Sequence, residues 1–127
     1  MKMINNAVGA LLGLAFCYIA CLPKEPPQDD WFKAVVVNES RPVLVKFGAE
    51  WCPPCQHMEH VLDDLSSRVS GQVKIVRINI DDKPELAAHY GVSSIPRIFL
   101  FKNGQIIAKH GGFQDANATK KWLDQQL

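Results

Sequence analysis

The stretch AEWCPPCQHM, Ala49 to Met58, sets Cys52 and Cys55 two prolines apart. Three chemistries use so short a spacing: a reversible redox pair, half of a metal clip, or a permanent staple. A staple across two residues closes almost no loop, so it would restrict the unfolded chain little. Zinc would take two thiolates and two imidazoles in a tetrahedron, and His57 and His60 lie close by in sequence. On a helix starting at Cys55, however, they turn away from that cysteine by roughly 200° and 140° at about 100° per residue. His89 and His110 have no ligand-like spacing. No metal is expected, and the redox pair is the leading reading.

Outward from the cysteines the periodicity is readable. PVLVKFG, just before them, is a near-continuous apolar run of strand length, as expected for a strand covered on both faces. After them, Met58, Leu62, Leu65 and Val69 form one apolar helical stripe, which Gly71 ends. VKIVRINI is a second strand. DDKPELAAHYG predicts a turn and a short helix, with Pro84 in its first turn and Gly91 as its stop. RIFLF is a third strand, Asn103-Gly104 a hairpin turn, and QIIAKHG the returning antiparallel strand. Asp115 caps a last helix. Further upstream, DDWFKAVVVNES predicts a first helix capped by Asp29 or Asp30. The order is α-β-α-β-α-β-β-α, an α/β fold with one parallel crossover and a terminal antiparallel hairpin.

The first residues carry a different message. Lys2 precedes an uncharged apolar run, Ala7 to Ala20, that is 14 residues long. A bilayer span needs roughly 20 residues, whereas a signal h-region takes about 7–15. Residues 1–21 therefore read as a signal peptide, with an uncleaved anchor as the alternative. Ala20-Cys21 resembles a bacterial lipobox, although Tyr18 stands where such boxes favour Leu, so Cys21 is a candidate lipidation site. Residues 22–30, with Pro23, Pro26 and Pro27, form a semi-rigid spacer, and 31–127 is the folded domain. The expected location is the periplasm or cell envelope, on a membrane through the lipid anchor. Disulfides form there. Loss of Lys2 reduces the 14 basic residues to 13, against 13 acidic ones. A neutral chain without a basic run carries no electrostatic footprint for nucleic acid.

Cys52 thus falls between a strand and a helix. A helix N-terminus offers unpaired N–H groups and partial positive charge, both of which favour the thiolate, the nucleophile in exchange. Pro53 and Pro54 donate nothing, so the Cys55 N–H is the expected donor to the Cys52 sulfur. Their fixed φ angles hold the sulfurs near bonding distance.

AEWCPPC, INIDDKPELAAHYGV and SIPRIFLFKNG together resemble the thioredoxin family over nearly all of residues 31–127. That resemblance implies a central mixed sheet of four or five strands flanked by helices, in a monomer. It implies thiol–disulfide exchange without a cofactor, on protein disulfides. Cys52 would be the exposed attacking thiol and Cys55 the buried resolving one. Pro96 would be a cis-proline facing them, and Ile95 would pair with the substrate backbone. Trp51 would flank the site, unless it merely packs, and Gly112 would line the substrate groove. The resemblance favours a reductase, which in an oxidising envelope needs a membrane electron donor. A non-catalytic binding module on the same fold is the alternative.

Three departures from the family stand out. Pro-Pro replaces the usual Gly-Pro between the cysteines. Arg97 follows Pro96 where Thr is common. Lys46 occupies the place of a buried Asp, while Arg77 keeps a nearby basic position. Lys46 and Arg77 are therefore candidates for tuning the thiol pKa values. A Lys inside VLVKF is seldom buried unless paired. Its ammonium is expected to snorkel outward, to pair with Glu50 or Asp81, or to lie beneath Cys55.

Overall fold

The computed structural model describes residues 25–113 and 115–127. The segment read as a signal peptide, the candidate lipidation site Cys21 and the start of the expected spacer lie outside the described residues. Pro27 is already buried, and Asp29 joins the fold by an ion pair to Lys83 at 2.8 Å.

Helix α1, Asp30–Phe32, opens with Asp29 as its cap, whose side chain accepts from the Phe32 N–H. It widens at once into a π-helical turn, Lys33–Val37, closed by the Asn38 N–H on the Lys33 carbonyl. Three consecutive β-branched valines crowd an ordinary α-turn. Strand β1, Val43–Gly48, is buried along its whole length. It is followed by α2, Pro53–Val69, β2, Lys74–Asn79, and α3, Pro84–His89. The chain closes with β3, Arg97–Lys102, β4, Gln105–His110, and α4, Ala116–Gln126, capped by Asp115. Asn103 and Gly104 both take positive φ, 52° and 77°, as a two-residue hairpin requires.

The sheet has four strands in the order β2-β1-β3-β4. β1 runs parallel to β2 and antiparallel to β3. Side chains on β1 alternate between faces. Val43, Val45 and Phe47 join Phe32, Phe99 and Phe101 in one core. Leu44 joins Met58, Leu62, Leu65, Ile98 and Leu123 in the other. The same alternation turns Lys46 and Gly48 toward α2, where Cys55 lies.

Candidate active site

Cys52 is the N-cap of α2 and accepts the Cys55 N–H at 3.3 Å, the donor expected from the sequence. The helix starts at Pro53 rather than at Cys55, so Pro53 and Pro54 are its first residues. Proline suits those positions because the first turn leaves its N–H groups unpaired in any case. Cys52 and Cys55 are bonded, with Cα atoms 5.2 Å apart, within the usual range for a disulfide. The exposed thiol expected at 52 is corrected here: Cys52 is 5% exposed, against 1% for Cys55. The reason is packing, since Ala49, Ile80 and Ile95 close around the pair. Cys52 still lies nearer the surface.

The sequence-selected neighbours meet around this pair. Trp51 does not merely pack: it is 66% exposed, and its indole N–H donates to Asp81 Oδ2 at 2.8 Å. The Ile95–Pro96 peptide is cis. Gly112 lies against the Pro96 ring, whose Cγ is 3.4 Å from the place a Cβ would occupy. Arg97 reaches the same border, with Nη1 4.0 Å from the corresponding point on Gly111. Ile95 packs against the cysteine pair, which brings the Pro96–Gly112 contact and Arg97 to that side of the disulfide.

A second group lies on the other side of Cys55. Lys46 is buried, 5% exposed, so its ammonium does not snorkel. Its Nζ donates to the Cys55 carbonyl at 3.1 Å and pairs with Glu59 Oε1. Pairing with Glu50 or Asp81 is thereby corrected: Asp81 holds the Trp51 indole instead. Parallel pairing sets Arg77 directly beside Lys46. Like charges so placed repel, and the Glu59 carboxylate from α2 answers both. Arg77 Nε donates to Glu59 Oε2 at 2.6 Å, and its Nη2 donates to Asp63 Oδ1 at 2.7 Å. Burial pushes the Glu59 carboxyl up, but the hydrogen bonds and charges of Lys46 and Arg77 outweigh it and hold the group below its ordinary value. A cavity of about 560 Å³ opens beside this cluster and reaches Cys55 and Gly48.

Glu59 is the site residue that sequence reasoning missed. A signal existed: Glu59 follows Cys55 by four residues, which puts both on one helix face. His57 and His60 lie on the exposed surface of α2. Among the described residues no three His, Cys, Asp or Glu side chains are grouped as a metal site.

Comparison with known proteins agrees with this geometry. The family model for thioredoxin matches residues 24–125. A thioredoxin of Rickettsia felis is 39% identical over 99 residues, covering 78% of this chain and 94% of that protein. A thioredoxin of Haemophilus influenzae is 41% identical over 96 residues, 76% of this chain and 90% of that one. Thioredoxin 1 of a Nostoc species is 42% identical over 99 residues, with 78% and 92% covered. A solved structure of a malarial protein shares the fold, with a TM-score of 0.64 at 24% identity, over 68% of this chain and 98% of that one. The chain belongs to the thioredoxin family and is a protein-disulfide oxidoreductase whose redox couple is its own cysteine pair.

Proposed function

We propose that the chain reduces disulfides of exported proteins, with Cys52 attacking and Cys55 resolving. The Cys52 thiolate attacks one sulfur of a substrate disulfide, and the other sulfur leaves with the electron pair and takes a proton. Cys55 then attacks Cys52 Sγ, which closes the Cys52–Cys55 bond and releases the second substrate sulfur as a thiol. Two electrons pass to the substrate, and a membrane dithiol donor restores the pair. The observation that carries this reading is the bonded pair at the start of α2, beside Trp51, Ile95, Pro96 and Gly112. These neighbours would receive the substrate chain, with Ile95 offering its backbone. The export half rests on Lys2, the apolar run to Ala20, and Cys21 as the lipidated residue.

Trapping tests the roles. Cys55→Ser should accumulate mixed disulfides through Cys52, and Cys52→Ser should not; capture by neither would remove the exchange reading. The equilibrium potential against glutathione tests direction: a value near about −270 mV marks a reductase and one near about −120 mV an oxidant. A palmitate analogue should label the wild type but not Cys21→Ala, and an unlabelled wild type would remove the anchor.

A further inference from the structure

Gly48 is the key to how Lys46 and Cys55 share their space. A Cβ on Gly48 would stand 2.8 Å from Lys46 Cε and 3.3 Å from both Cβ and Sγ of Cys55. The lysine stem and the Cys55 sulfur therefore flank one small gap that only glycine leaves open. The ammonium above that stem already touches residue 55 through its carbonyl. Lys46 belongs to neither of the two cores. A hydrophobic side chain of similar volume would fill the position without the cost of taking an ion pair out of water.

We propose that the Lys46 ammonium, anchored by Glu59 and admitted by Gly48, stabilises the Cys55 thiolate in the releasing step, and that the Glu59 carboxylate damps that charge. The proposal rests on the exchange reading above. In that step the Cys55 thiol gives its proton to solvent through the cavity. The thiolate bonds to Cys52 Sγ, the Cys52–substrate bond breaks, and the departing sulfur keeps the electron pair and takes a proton from solvent. An opposite charge close to an ionising group favours its charged form, so Lys46 lowers the pH at which Cys55 becomes competent. The other charged groups facing this space are Arg77 from β2, Asp63 from α2, and Glu50 and Asp82 from the flanking loops. Arg77 acts through Glu59: by sharing that carboxylate it leaves the Lys46 charge less fully neutralised. The depressed Glu59 carboxyl is consistent with a group that stays ionised between the two cations.

The sign of two substitutions separates this role from a structural one. The experiment uses the full-length chain with Cys17→Ser and Cys21→Ser, so that only the active pair reacts. A mixed disulfide of Cys52 with 2-nitro-5-thiobenzoate is formed at acidic pH, the pH is jumped, and release of the coloured thiol is timed. Lys46→Met should move the rate profile to higher pH by about one unit, roughly a tenfold slower release at neutral pH. Glu59→Gln keeps the shape and an oxygen for Lys46 but removes the opposing charge. It should move the profile to lower pH, by about half a unit. Glu59 is 37% exposed in its side chain and belongs to neither core, and Gln keeps a hydrogen-bonding oxygen for Lys46, so this variant is expected to fold and decides the sign even if Lys46→Met does not fold. Loosening of the structure would shift both profiles the same way or neither, and either result would overturn the proposal. Superimposable profiles with normal release would leave exchange standing and remove only the role of the charge. A parent chain that releases no thiol at any pH would remove both.

Discussion

On one face of β1, Val43, Val45 and Phe47 meet the rings of Phe32, Phe99 and Phe101; on the other, Leu44, Lys46 and Gly48 meet α2. The first face is uniform. Phe47 and Phe99 stand edge to face at 5.3 Å, and Tyr90 does the same with Phe101 at 5.4 Å, arrangements that aromatic quadrupoles favour. The second face changes along the strand. Leu44 is ordinary core, Lys46 is a buried cation, and Gly48 is an empty place kept for Cys55 and the lysine stem. A six-residue strand thus serves packing through its odd positions and Leu44, and sets Lys46 and Gly48 beside Cys55. The change from core to charge follows the approach of the α2 N-terminus toward the end of β1.

The sharpest way to break this division is to attack the uniform face. Phe47→Ala should cost about 3–5 kcal/mol, read as the loss in unfolding free energy in urea. The pH profile of thiol release in the folded fraction should stay where it is. A loss under about 1 kcal/mol would mean that the aromatic layer is not what holds the sheet.

A smaller effect is expected from the other face. Gly48→Ala places a methyl 2.8 Å from Lys46 Cε and 3.3 Å from Cys55 Sγ. Such overpacking costs about 1–3 kcal/mol, and less where the flexible lysine stem gives way. The displaced ammonium should slow thiol release more than the stability loss alone accounts for. Unchanged release beside a measurable stability loss would show that the gap is a packing detail.

The smallest effect is confined to alkaline solution. Burial pushes the Tyr90 phenol from its ordinary 10.0 up to about 12. The folded state therefore favours the neutral ring. That contribution is intact below pH 10 and is lost as the pH rises through 12. Tyr90→Phe cannot titrate, so its urea midpoint should fall less than that of the wild type across this window. Parallel declines in the two proteins would assign the alkaline loss to other groups.

Much of this arrangement was legible beforehand. The eight elements appear in the order that the periodicity predicts, because apolar spacing and turn residues act over a few positions. Asn103-Gly104, Asp29, Asp115 and the stripe from Met58 to Val69 each announce a local structure. The π-helical turn at Lys33–Val37 was not announced, since the three valines say only that an α-turn is crowded, not how the backbone relieves it. The helix expected from Cys55 starts at Pro53 instead, because the first turn accepts residues that lack an N–H. Lys46 drew notice from its sequence position, but its partner did not. Of the two candidates, Glu50 stands nearer along the chain and Asp81 farther, whereas the partner is Glu59 on the facing helix.

By itself the sequence determined the α/β order and the cysteine pair at a helix start, and its resemblance to a family pointed to Trp51, Ile95, Pro96 and Gly112 as neighbours of that pair. Each of these rests on short-range patterns, or on motifs that resemble a family. Only the tertiary structure decided what stands on the far side of Cys55. The parallel register of β1 and β2 sets Lys46 beside Arg77. The path of α2 across that face carries Glu59 between them, and the side-chain alternation of β1 turns Gly48 toward the sulfur. The first two placements depend on packing between separate elements, because a charge finds its partner by distance in space rather than by separation in sequence.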